Sequence, residues 1–279
     1  VPWQMLCEKT GAIMRVIPMS EKGELIFSEY EKLLSNKTKI VFVNHVSNAL
    51  GTINPVKEII SKAHEFGAAV LIDGAQALPH FKVNVIDLDA DFYVGSAHKL
   101  YGPTGVGILY GKEEWLTKIP PYQGGGEMID EVTFEKTTYA KIPNKFEAGT
   151  PNIAGVIASA VALDYINEIG LDNIAQYEKE LLDYATQKLL EIDEIKIYGD
   201  STNKTSVISF NIGNLHHYDI GSIIDNEGIA VRTGHHCAQP IMDYFNISGT
   251  IRISLSFYNT TQEIDSLINA IMIAKKMLS

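Results

Sequence analysis

Cysteine is nearly absent from this chain, which has only Cys7 and Cys237 in 279 residues. Two distant cysteines cannot build a disulfide framework or a four-cysteine zinc ribbon. Low cysteine use without a signal-peptide pattern fits a reducing compartment, so the expected location is cytoplasmic. Positive charge is also short: 23 Lys and Arg stand against 34 Asp and Glu, a formal net charge of −11. That balance argues against nucleic-acid binding, which needs a concentrated basic face, and against docking on anionic lipid. No apolar run approaches the ~20 residues of a membrane-spanning helix. The longest, Ile153 to Ile166, is broken by Asp164 and bounded by Pro151 and Glu168. Arginine is the scarcest charge, with only Arg15, Arg232 and Arg252. A codon bias towards lysine explains the scarcity as well as function does. Two of the three nevertheless flank Cys237, and arginine is the side chain that offers carboxylates and phosphates a planar fork.

What is present is ordinary for a soluble globular protein: 46% hydrophobic and 20% charged residues. At ~150 residues per domain the length suits two domains or one large α/β domain. Lys39 to Asn44, Ala68 to Ile72, Phe92 to Val94 and Gly105 to Tyr110 read as buried strands. Between the first two, apolar residues at 56, 59, 60, 63 and 66 have helical spacing, and Gly67 stops that helix. Strand and helix in alternation predict a largely parallel sheet with right-handed crossovers. Trp115 to Pro151, with several prolines and the run Gly124-Gly125-Gly126, reads as long functional loops. Ile153 to Ile169 is apolar on most faces and is expected to be largely buried. Asn173 to Ile192 is amphipathic and expected at the surface. Ser206 to Ile212 and Thr250 to Phe257 alternate as half-buried strands. A final helix opens at Thr261, with acidic residues first and lysines last. The second half thus reads as a smaller α+β unit.

In an open parallel sheet, ligands bind beyond the carboxyl ends of the strands. There the chain has NHVSNALGT (44–52), LIDGAQA (71–77) and VGSAHKLYGPTG (94–105). Asp73, Gln76, Ser96, His98 and Lys99 would converge on one crevice. Such a set suits a phosphorylated aromatic cation bearing an aldehyde. A carboxylate holds the protonated ring nitrogen, Ser96 and His98 donate to phosphate, and a lysine forms an imine. Taken singly, each residue is equally at home as a turn former, a helix cap or a solvated side chain.

The second constellation is RTGHHCAQP, residues 232–240. Nearby positive charge favours a thiolate, the form of cysteine that attacks. Gly234 and Pro240 make the segment a loop, where Cys237 can be exposed, although free cysteine is most often buried. Two adjacent histidines and one cysteine make a poor metal set without a complementary cluster, so no metal is expected. Arg252 interrupts an alternating strand. A substrate carboxylate accounts for it, and so does a structural ion pair.

Together, VSNALGTINP, VLIDGAQA, GSAHKLYGPTGVGILYG, FEAGTPN, AVRTGHHCAQP and IRISLSFYNT resemble the pyridoxal-phosphate cysteine desulfurases of the SufS-type (group II) branch. The resemblance covers essentially the whole chain, and the short RTGHHCA loop is what points to this branch. It implies the α/β architecture of fold-type I pyridoxal-phosphate transferases. A large cofactor domain (1–155) with a mostly parallel sheet would precede a small α+β domain (156–279) carrying the cysteine loop. It implies conversion of L-cysteine to L-alanine, with a persulfide left on Cys237 for iron–sulfur cluster assembly. Lys99 would be the cofactor-binding lysine and the base that moves the substrate α-proton. Asp73 would pair with the ring nitrogen and Gln76 with the ring's phenolic oxygen. Ser96 and His98 would bind phosphate, joined by Thr150 reaching the neighbouring subunit's cofactor in a homodimer. Asn48 and Arg252 would hold the substrate carboxylate, and Arg232 and His236 would shape the cysteine loop. A SufE-type or SufU-type protein would accept the sulfur. Members of the family carry roughly another third of chain before the point matching Val1, including a phosphate-binding turn and a histidine that stacks on the cofactor. Selenocysteine lyase, another class V aminotransferase-like enzyme, and a catalytically silent truncated scaffold are the competing expectations.

Overall fold

The computed structural model describes residues 1–278. Helices α1 (Pro2–Thr10) and α2 (Phe27–Leu33) lead into β1 (Ile40–Asn44), α3 (Val56–His64) and β2 (Ala69–Asp73). The short α4 (Val85–Leu88) and β3 (Phe92–Ser96) follow, then a 3-10 turn at Ala97–Leu100, β4 (Gly107–Gly111) and α5 (Glu113–Lys118). These strands form one sheet in the order β1-β2-β3-β4. The β1–β2 and β2–β3 pairs are parallel, and β4 is antiparallel to β3. The helix expected after β1 forms and ends just before Gly67, at φ +69°. One face of α3 buries Val56, Ile59, Ile60 and Ala63 against Val41, Val43, Val70 and Ile72 of the sheet. Each fully buried aliphatic side chain of this kind contributes about 1.5–3 kcal/mol of transfer free energy.

The segment expected to be all loop contains a small hairpin, β5 (Ile129–Val132) with β6 (Thr137–Tyr139), and a second 3-10 turn at Asn144–Phe146. Helices α6 (Ile153–Ile169) and α7 (Leu171–Leu190) cross to the second half. There β7 (Ile195–Tyr198), β8 (Val207–Ile212), α8 (His217–Asn226), β9 (Arg232–Gly234), α9 (Gln239–Phe245), β10 (Thr250–Ser254) and α10 (Thr261–Leu278) complete the described residues. The second sheet runs β7-β8-β10-β9 and is antiparallel throughout. Helices α7, α8 and α10 bury Leu181, Leu189, Ile220, Ile224, Ile264 and Ile271 against Ile208, Phe210, Ile212 and Ile251.

Four expectations need correction. β4, read as a buried strand, lies at the sheet edge with Ile108 and Leu109 exposed. β8 is almost fully buried, because β7 and β10 flank it and helices cover its face. β1 is half-buried, with Ile40 and Phe42 exposed at the sheet edge. α6 is not buried: only Gly155 and Ile166 are inside, while Ile153, Val156, Ile157 and Val161 are exposed. Composition gave α6 its apolar surface, but within this chain it packs mainly on α7 and the 97–100 turn. Among the described residues no single helix is long and apolar enough to cross a membrane.

The two sheets meet through the loop after β1. Ala49 and Leu50 pack with Tyr198 and Met242, and Thr52 forms a bridge with Lys204. Ser209 on β8 donates to the carbonyl of Ala49 at 2.6 Å. Gly51 sits at φ +76°, and a Cβ there would come within 2.9 Å of the Val207 carbonyl oxygen. Only glycine allows so close a crossing.

Candidate active site

The carboxyl ends of β1, β2 and β3 lie side by side, because Asn44 pairs with Asp73 and Asp73 with Val94. Asp73 is therefore next to the strand that ends at Ser96, and the 3-10 turn places His98 and Lys99 just beyond it. Asp73 Oδ1 accepts the Ala75 backbone N–H at 2.9 Å, which closes the turn carrying Gln76. His45 supports this end from below. Its backbone N–H donates to the Asp73 carbonyl, and its ring Nδ1 lies 2.9 Å from the Tyr93 hydroxyl. Burial lowers the His45 pKa to about 4, so the ring is neutral. Burial, and then the charge of Asp73, raise the Tyr93 pKa.

Gln76, Ser96, His98 and Lys99 make no side-chain hydrogen bond or ion pair within the described residues. One carboxylate with a free oxygen, one amine, one amide, one hydroxyl and one imidazole thus face a common strand end, uncommitted. That donor set fits pyridoxal phosphate: a pyridinium nitrogen, an aldehyde, a phenolic oxygen and a phosphate each have a counterpart. Thr150 lies in the exposed loop after the second 3-10 turn and also makes no side-chain bond.

The cysteine loop is built the opposite way. His236 and Cys237 both take left-handed backbone conformations, at φ +55° and +58°. For residues other than glycine, such conformations persist only where neighbours hold them. His236 is 2% exposed, and its Nε2 bonds Thr250 Oγ1 at 2.8 Å. The Asn48 side-chain amide donates to the His236 carbonyl at 2.5 Å. Burial, then Arg252 and Arg232, lower the His236 pKa to about 4. Cys237 is exposed, and Arg232 Nη2 donates to its Sγ at 3.5 Å. A cleft of about 810 Å³ opens beside the thiol, lined by Arg232, His235, Cys237 and Asp243 on one side and Trp3, Gln4 and Met14 on the other.

Arg252 is the second link between the halves. Its Nη1 donates to the Asn48 carbonyl at 2.9 Å, while its Nε is buried without a partner. Burial and the repulsion of Arg232 lower its pKa, and Cys237 acts against them. Among the described residues no carboxylate pairs with Arg252. The structural ion pair that would have explained this residue is therefore not there. Asn48 and Arg252 do meet, but Asn48 already spends its amide on the cysteine loop.

Several contributors escaped the sequence reading. His45 and Thr250 act beneath the strand ends and the loop, and short polar stretches gave no sign of their partners. Tyr101 and Ser256 also join the two halves, with their hydroxyls 2.6 Å apart. The only hint was the place of Tyr101 two residues after Lys99.

Residues 1–267 match the family model of the class V aminotransferases. The chain belongs to that family. It is 51% identical to a cysteine desulfurase of Enterobacter sp. (strain 638) over 272 residues, 97% of this chain and 67% of the relative. Among solved structures, the S-sulfonic acid form of the cysteine desulfurase CsdA from Escherichia coli superposes with a TM-score of 0.96 at 35% identity, over 100% of this chain and 69% of that one. The apo cysteine desulfurase of Thermococcus onnurineus NA1 gives 0.93 at 39% identity, over 99% and 69%. These similarities establish the fold-type I architecture and a pyridoxal-phosphate enzyme.

Proposed function

We propose that this protein is a cysteine desulfurase that removes sulfur from L-cysteine, releases L-alanine and carries the sulfur as a persulfide on Cys237. The observation that carries the reading is Arg252. A half-buried guanidinium with no carboxylate partner among the described residues, within electrostatic reach of the exposed Cys237 thiol, asks for a small carboxylate-bearing substrate whose reacting atom is met by sulfur. The cysteine desulfurases among its relatives support the same conclusion.

In this reading residues 1–155 form the cofactor domain and 156–279 the smaller domain with the cysteine loop. Asp73 holds the ring nitrogen, Gln76 the phenolic oxygen, and Ser96 and His98 the phosphate. Thr150, exposed and unbonded, reaches the phosphate in a second subunit of a homodimer. Bound pyridoxal phosphate supplies an electron sink for the carbon from which a proton is lost. Lys99 anchors it and, once displaced by substrate, takes the α-proton. Arg252 fixes the substrate carboxylate, aided by the Asn48 loop, which orients the Cα–H towards Lys99. The Cys237 thiolate attacks the substrate sulfur. The C–S bond breaks, its electron pair goes to the β-carbon, which takes up a proton, Lys99 returns the α-proton to complete alanine, and a Cys237 S–S bond forms. Arg232 stabilises the charge on sulfur before attack. The tightly held RTGHHCA loop supports the SufS-type branch, with a SufE-type or SufU-type protein as acceptor.

The test is to mix the protein with pyridoxal phosphate and L-cysteine, then to measure alanine and map alkylated persulfide by mass spectrometry. Alanine and a persulfide on Cys237 in equal first-turnover amounts are expected. Alanine without label on Cys237, or turnover of selenocysteine alone, would sink the reading.

A further inference from the structure

The turn that carries Lys99 ends in an unusual way. Tyr101 closes it in a left-handed conformation at φ +63°, where a bulky aromatic residue is strained. The backbone N–H groups of Tyr101 and Gly102 both return to the Ala97 carbonyl. The Tyr101 ring then leaves the cofactor sheet altogether. It packs edge-on against Phe257 and Tyr258, with centroids 5.0 and 6.2 Å away, and its hydroxyl lies 2.6 Å from Ser256 Oγ. Ser256 lies two residues beyond the end of β10, the strand that holds Arg252. Burial raises the Tyr101 pKa to about 12, so the phenol keeps its proton.

The same loop is gripped from its other side. The Glu178 carboxylate, 3% exposed, is 2.6 Å from His80 Nδ1 and accepts from Ser206 at 3.0 Å. Ser206 also reaches the Leu255 carbonyl at 2.8 Å, and its own carbonyl accepts the Leu255 N–H. His80 closes the segment that begins at Asp73. The end of β10 is therefore referenced to both the lysine turn and the aspartate turn of the cofactor sheet.

Resting on the desulfurase reading, we propose that Tyr101 is a positioning residue whose bond to Ser256 sets where Lys99 stands relative to an Arg252-bound substrate. It touches neither substrate nor cofactor. Its role is to remove slack between two sheets that also meet through the loop after β1 and the Glu178 junction. Misplacing a base relative to the proton it takes costs rate rather than affinity.

The test uses Tyr101→Phe, which keeps the ring and its contacts, and Ser256→Ala, which removes the other hydroxyl. Each should lower kcat for L-cysteine about fivefold and leave KM within about twofold, with Lys99 still fully labelled by borohydride in the presence of pyridoxal phosphate. The double variant should be no worse than the more affected single one, because the two changes delete one bond. Without any cofactor, the amides of Tyr101 and Gly102 should exchange hydrogen faster in both variants and to a similar extent. Unchanged kcat, additive losses or unchanged exchange would overturn the proposal. Loss of Lys99 labelling in the unaltered protein would instead overturn the desulfurase reading and leave the exchange result to judge Tyr101.

Discussion

The two regions that would share the chemistry are prepared to different degrees. Around Lys99 the functional side chains are free, while the backbone turns, the buried His45–Tyr93 pair beneath them and the Tyr101–Ser256 and His80–Glu178 contacts behind them are fixed. Around Cys237 the loop is held through Asn48, Thr250 and Arg232, and its backbone is strained at His236 and Cys237, although His236 Nδ1 and Arg252 Nε stay buried without partners. A region that receives a large anionic ligand can leave its final ordering to that ligand, which satisfies the waiting donors. A nucleophile that must remain exposed has no ligand to hold it between turnovers, so the chain itself must fix the loop.

Separating the two regions by mutation should give the largest effect. Lys99→Ala should abolish borohydride-trapped label and alanine formation together, a loss of several orders of magnitude. Cys237→Ala should abolish persulfide while leaving Lys99 labelling intact, because nothing in the first region depends on the thiol. Mass spectrometry of reduced and alkylated protein reads both. A Cys237→Ala protein that loses Lys99 labelling would show that the regions are not separable.

Arg252→Lys probes the junction and should be milder. Lysine keeps the charge but loses the planar fork, so it cannot bond both the Asn48 carbonyl and a substrate carboxylate in one plane. KM for L-cysteine should rise about tenfold or more, measured by alanine formation, with Lys99 labelling unchanged. An unaltered KM would return Arg252 to a structural role.

The same contrast explains what could be read from the sequence. β-branched runs ending in Asp73 and Ser96 revealed both the parallel sheet and the crevice at its end, because strand period and strand termini are local properties. The engagement of Asn48 by the cysteine loop was not legible. It depends on contacts between positions 48 and 236, which no local pattern encodes. The exposure of α6 was missed for a related reason. Its composition says only that it avoids water, and whether a surface covers it depends on which elements lie alongside. Arg252 fell between these cases: its place inside a strand showed that it needed an anion, and only the fold showed that no described residue supplies one.

The smallest effect concerns how firmly the two preparations hold as pH falls. His45 and His236 both have pKa values near 4 in the fold, against about 6.5 in an unfolded chain. Between those values the unfolded state binds more protons, so stability rises with pH. The stabilisation is fully present above about pH 6.5 and is lost as pH falls towards 4, by up to about 3 kcal/mol for each ring. The local consequences should differ. Protonating His45 threatens the floor beneath Asp73, which bound cofactor helps to hold. Protonating His236 puts a second positive charge beside Arg252 and pushes against the loop that carries Cys237. Thermal unfolding followed from pH 7.5 to 5 should show Tm decreasing. A His236→Gln variant should flatten part of the Tm dependence, because glutamine does not titrate. If that variant kept the full pH dependence, His236 would not be the brace, and the buried His45 would carry the effect alone.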